Sequence, residues 1–192
     1  MKGFRRGLLL ILLLSIPVFA YIPSRIVTPS GLAFQKWADS AFPITWRLNT
    51  SRLNNIAGTR ALVDVTRAAF ASWAGVGTAV TSFNEGTTTT VTDAGLDGIN
   101  LISFVPVSAM PANTPSLTTI YSFSAPSVDA LGRSVLFPGQ ILEADILFNP
   151  TVQFTSDATP ASGSIDLETR RFDEPGVDDS FRNFSACDWM TA

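Results

Sequence analysis

Apolar and polar residues alternate strictly along residues 44–49, with Ile44, Trp46 and Leu48 set against Thr45, Arg47 and Asn49. A period of two over a short run predicts a strand with one buried face. Over residues 59–74 the period lengthens: Leu62, Val65, Ala69 and Trp73 share one side, and Phe70 widens the stripe. Arg60, Asp64 and Arg67 fall off that side. This predicts an amphipathic helix packed on a sheet, opened by Gly58 and Thr59 and closed by Gly75. Further strands are predicted over residues 80–85, 99–105, 118–123 and 140–149. In the last, alternation sets Leu142, Ala144, Ile146 and Phe148 on one face, and Glu143 and Asp145 on the other beside Ile141 and Leu147. Pro150 ends that strand. Residues 21–35 read as a Pro/Ser-rich linker, and 107–115, 126–139 and 151–163 as loops. Residues 164–168 read as a helix start, an N-cap candidate followed by acids. Strand, helix, several strands, loop and helix start in that order predict an α+β domain with one mixed sheet.

The first twenty residues stand apart. Lys2, Arg5 and Arg6 precede a run, 7–16, that is apolar apart from Ser15; Pro17 breaks it, and Val18-Phe19-Ala20 gives a peptidase-like ending. This predicts a secretory signal peptide over 1–20, because the apolar run is shorter than the roughly 18–20 residues of a membrane span; the alternative is an uncleaved membrane anchor. Export to the medium or to a periplasm follows. Without those three basic residues the chain carries ten basic and sixteen acidic side chains. That balance argues against nucleic acid, and against anionic membrane surfaces once the signal is cleaved, since both reward Lys and Arg. The remaining length suits one domain with one core. Cys187 is the one cysteine, so no internal disulfide can form.

The order of elements and several short words resemble the matrixin-like branch of the metzincins, the secreted zinc endopeptidases. Residues 44–49 resemble their first strand. Residues 65–73 contain the AFxxW pattern of their first helix, and 80–85 sit where a short strand follows it. Residues 97–104 fit DGxNxIxF, and 139–149 fit GxIxEADIxFN. Asp166-Leu167-Glu168-Thr169 lies where DLxxVAxHExGHxxGLxH begins in the family. The resemblance spans residues 36–169 and implies a twisted, mixed sheet of about five strands with a long first helix. It also implies a cleft in which a polypeptide lies along an edge strand. By order, 118–123 is that strand, with Thr119, Tyr121 and Phe123 as candidate peptide-binding residues; the alternative is an ordinary strand without a ligand.

The family's chemistry needs zinc held by three imidazoles and a Glu as base. This sequence contains no His. No catalytic residue and no metal ligand is therefore assigned, and no cofactor is expected for this chain, zinc being the family's. The same absence removes Ser-His and Cys-His pairs. Calcium is the remaining metal candidate, at Asp93, Asp97 and Asn100 around Gly95 and Gly98; the alternative there is a plain turn. Glu143 and Asp145 have the spacing of paired carboxylates on one strand face, and are read as a feature of that strand. Agreement with the family stops at about Thr169, and residues 170–192 are rich in acids, Pro and Gly. A shift of reading frame there is expected to leave a divergent, disordered tail. The resulting expectation is a matrixin-like domain truncated before its active site, inactive alone and marginally stable, since uncovering a sheet face costs about 25 cal/mol per Å². The alternative is a non-catalytic secreted β-rich binding or structural module.

Overall fold

The computed structural model describes residues 24–75, 81–111, 114–157 and 163–167. The signal peptide expected over 1–20, Cys187 and the divergent tail expected over 170–192 lie outside the described residues.

The first elements are β1 (Arg25–Thr28) and β2 (Gly31–Phe34), paired as an antiparallel hairpin. This corrects the reading of 21–35 as linker. The hairpin keeps Val27, Leu32 and Phe34 exposed, so no burial pattern marks its strands. It leads into a short 3-10 turn, Asp39–Ala41, and then β3 (Ile44–Leu48). Next come β4 (Ile56–Ala57), α1 (Leu62–Ala74), β5 (Phe83–Glu85), β6 (Asn100–Ser103) and β7 (Ser116–Ser122). A second small hairpin, β8 (Ser127–Val128) with β9 (Ser134–Leu136), replaces the loop expected over 126–139. The chain then forms β10 (Ile141–Phe148), β11 (Phe154–Thr155) and β12 (Ile165–Asp166).

The principal sheet has five strands in the order β5-β3-β6-β10-β7. The first four run parallel, and β7 joins β10 antiparallel at one edge. With one long helix and a mixed sheet, the class is α+β as the sequence predicts. Helix α1 begins at Leu62, not at residue 59, and Ala61 is an N-cap without a side-chain hydrogen bond. Gly75 closes it as expected, its N–H donating to the carbonyl of Ala71. The buried positions of α1 are Leu62, Val65, Thr66 and Phe70. Ala69 and Trp73 are only half-buried, so the stripe is rotated towards Phe70. The Thr66 hydroxyl donates to the Leu62 carbonyl at 2.8 Å, which lets a polar residue sit in that face.

The core lies between α1 and one face of the sheet. Phe70 stacks on Trp46 with ring centroids 5.0 Å apart and meets Phe83 at 4.8 Å. Ile44, Leu48, Ile102, Ala144 and Ile146 complete that face. A cavity of about 80 Å³ remains beside the helix, lined by Val65, Phe70, Trp73, Ile102, Phe148 and Leu167 among others.

Strict alternation fails at the start of β10. Ile141 opposes Ser122, but Glu143 opposes Tyr121, so Leu142 is an extra residue in a bulge. The bulge turns Ile141 into the core at 2% exposure and sends Leu142 outward at 38%. The predicted faces of these two residues are therefore exchanged, while those from Glu143 onward hold. The helix start expected at 164–168 is corrected too: residues 165–166 are β12, parallel to β11, which is parallel to β4. Arg52 braces this three-stranded sheet by donating to the carbonyls of Ile56, Ala57, Gly58 and Arg60.

Candidate functional site

The edge strand β7 is where the sequence places its candidate residues. Thr119 opposes Asp145 and Tyr121 opposes Glu143, so all four share the sheet face away from α1. Ile120, between them, packs towards the core instead. Phe123 lies one residue beyond β7, where its N–H donates to the Gln140 carbonyl and its carbonyl accepts from Gly139. The sequence thus brings Thr119 and Tyr121 together on the edge, with Phe123 at its end.

The ladder fixes which backbone groups of β7 are used. The Asn149 N–H donates to the Pro115 carbonyl at 2.8 Å. Antiparallel pairs alternate between bonded and non-bonded, so Leu117, Thr119 and Tyr121 direct their N–H and C=O groups to β10. The N–H and C=O groups of Thr118 and Ile120 consequently face away from β10. No strand among the described residues pairs with β7 on that side.

One end of β7 is anchored by a segment that the sequence reading missed. Gln35 donates through Nε2 to Ser122 Oγ at 2.9 Å. Lys36 bonds in both directions alongside β10, its N–H to the Gly139 carbonyl and its carbonyl from the Ile141 N–H. Gly139 is needed there, because at φ +87 a Cβ would strike the Phe34 carbonyl. No local pattern in residues 35–36 could have signalled this, since all three bonds are made to residues roughly ninety to a hundred positions away in the chain.

Behind β7 lie Glu143 and Asp145, each 1% exposed. Asp145 accepts from the backbone N–H groups of Leu101 at 2.9 Å and Gly95 at 3.1 Å. Glu143 accepts from those of Gly98 at 2.5 Å and Asp97 at 3.3 Å. Gly98 supplies its N–H from a positive φ of 79, a conformation that favours glycine. Four amides of the 95–101 segment thus converge on two carboxylates of the central strand. Burial pushes the Asp145 carboxyl up to about 6; the N–H groups of Leu101 and Gly95 pull it back, and the charge of Glu143 pushes it further up. Tyr121 is also raised, by burial first and then by the negative charges of Asp145, Glu143 and Asp97.

This arrangement is an anchor for a loop. Buried carboxylates that accept several amide hydrogen bonds hold the backbone in place and have little access to a substrate. The EAD word is, as read from the sequence, a feature of the strand, and its partners are the glycine-rich turn some forty-five residues earlier.

The residues considered for calcium are each engaged by a different segment. Asp93 accepts from the N–H groups of Ser108 at 2.7 Å and Val107 at 3.3 Å, and from the Thr92 hydroxyl. Burial pushes its carboxyl up, but these bonds together hold it below the usual carboxylate range. Asp97 caps its own turn by accepting from the Ile99 N–H. Asn100 joins β3 to β10, donating to the Thr45 carbonyl and accepting from the Ala144 N–H. Among the described residues, no group of three or more His, Cys, Asp or Glu side chains is placed to hold a metal ion. No helix among them is long and apolar enough to cross a membrane.

Comparison with protein-family models, with curated proteins and with solved structures finds no match to this chain.

Proposed function

We propose that this chain is the sheet-bearing part of an exported, matrixin-like protein, and that it receives an extended polypeptide along β7. The observation that carries the reading is the outer edge of β7, the antiparallel strand beside the EAD-bearing β10, with which no strand among the described residues pairs. An added strand would pair with the outward N–H and C=O groups of Thr118 and Ile120, backbone bonds supplying affinity and alternate side chains supplying selectivity. Thr119 and Tyr121 then flank the added strand on one face and Ile120 on the other.

The residues of this chain perform no zinc hydrolysis on this reading. A catalytic zinc needs three protein ligands and an open position for water, and the resembled family takes all three from His. With no His in the sequence, that ligand set cannot be assembled. The role left to the chain is recognition. It overlaps with that of a secreted β-rich binding module, and the same edge serves both.

Labelled casein fragments test the reading. Amide resonances of Thr118 and Ile120 should shift and gain exchange protection on titration, while those of Thr119 and Tyr121, already bonded to β10, should change little. Shifts that map elsewhere, or none, overturn the edge-strand reading. Chelator-sensitive cleavage of the fragments in the presence of Zn²⁺ overturns its non-catalytic half.

A further inference from the structure

Sheet edges in soluble proteins are commonly guarded by Lys, Pro, bulges or inward-pointing charge, because an open row of N–H and C=O groups pairs with any other strand. The edge at β7 has none of these guards within it. It runs Ser-Leu-Thr-Thr-Ile-Tyr-Ser over seven residues. No Asp, Glu, Lys or Arg occurs anywhere between Asp97 and Asp129. The bulge that could twist the edge away sits in β10, at the far end of the ladder.

The order of residues in β7 also allows it to meet itself. For two copies related by a two-fold axis, the bonded pairs must join residues whose backbone groups face outward, which the ladder identifies as Thr118 and Ile120. Centring the axis on Thr119 sets Thr118 opposite Ile120 of the second copy, and Ile120 opposite Thr118. Ser116 and Ser122 have the same parity and pair in the same way. Thr119 then faces its own counterpart as a non-bonded pair, the more closely spaced kind. On that face Leu117, 42% exposed in one copy, lies across from Tyr121 of the other. Thr–Thr pairs are among the favourable cross-strand combinations.

We infer that β7 joins two copies of this chain edge to edge, in antiparallel register centred on Thr119, into one ten-stranded sheet. The inference rests on the reading of β7 as an open edge, and it makes self-pairing and peptide binding mutually exclusive. A C₂ contact of this kind is isologous, so one substitution acts twice at the axis.

Sedimentation equilibrium of the purified protein over a range of concentrations tests it. The expected result is a mass that rises from one copy to two. Thr119→Lys and Thr119→Glu each bring like charges together at the axis and should each stay at one copy. An equimolar mixture of the two should recover the doubled mass, a result that simple misfolding of either variant cannot produce. A wild-type protein of one copy at all concentrations overturns the inference, as does a doubled mass that persists in both variants. A mixture that stays at one copy while both variants melt cooperatively overturns the register. Casein fragments that bind β7 of a strictly monomeric protein leave the peptide reading standing and remove this one. A dimer with the expected charge behaviour that takes up no fragments does the reverse.

Discussion

Glu143 and Ala144 are adjacent in β10, and the two faces of the sheet on which they lie are built by different forces. Ala144 and Ile146 belong to the face covered by α1, where Trp46, Phe70 and Phe83 form a continuous aromatic contact. Its stabilisation follows from apolar area removed from water and depends little on direction. Glu143 and Asp145 belong to the other face, where four amides of residues 95–101 point at carboxylate oxygens. Its stabilisation depends on each acceptor remaining in place, because a buried N–H without a partner costs about 1–3 kcal/mol. One strand therefore holds a tolerant face and an exacting face back to back. The open edge at β7 draws on both: Ile120 is fixed from the apolar side, and Thr119 and Tyr121 from the acidic side.

The largest effect expected is on the apolar face. Phe70→Ala removes the ring that joins Trp46 to Phe83 and enlarges the existing cavity. It should cost about 3–5 kcal/mol in denaturant unfolding. If the two faces are as distinct as described, amide exchange in the 95–101 segment of the folded fraction keeps its wild-type order. A loss much below that range would mean that the aromatic contact is dispensable.

The next effect is on the acidic face. Glu143→Ala leaves the Asp97 and Gly98 amides without an acceptor and should cost on the order of 2–4 kcal/mol. Here the 95–101 amides should lose exchange protection first, with the α1 amides following only on global unfolding. Uniform loss of protection in both regions would merge the two faces into one cooperative unit.

The smallest effect is the dependence on pH. The Asp145 carboxyl sits at about 6 in the folded protein, against 3.8 for an ordinary Asp carboxyl. The folded state therefore holds the proton more tightly. The resulting stability is fully present below the unfolded value and is lost as pH rises through about 6. Between pH 7 and 5 the protein should gain about 1 kcal/mol from this group. Asp145→Asn should flatten that part of the profile. A stability that falls on acidification over this window would show that the amides of Gly95 and Leu101 outweigh burial.

Much of this was open to reading in the sequence, and the failures have identifiable causes. The alternation of residues 44–48 is β3, and the longer period over 62–74 is α1. The bulge at Leu142 was hidden, because an inserted residue changes the pairing with Ser122 and Tyr121 but leaves the local apolar pattern intact. The hairpin β1–β2 looked like linker because its outward residues, Val27, Leu32 and Phe34, are apolar, so no alternation between a wet and a dry face marks it. Residues 165–166 looked like a helix start because two residues carry no period, and only the bonds to β11 make them a strand.

By itself the sequence determined which segments are strands of the main sheet and which is the helix, because side-chain period is a local property of the backbone. It also determined that no imidazole is present for a metal, since composition needs no geometry. The tertiary structure alone decided which backbone groups of β7 face away from β10, and that Glu143 and Asp145 hold a loop. Strand order and hydrogen-bond partners join residues tens of positions apart, and nothing in a local pattern encodes which distant amide a buried carboxylate will meet.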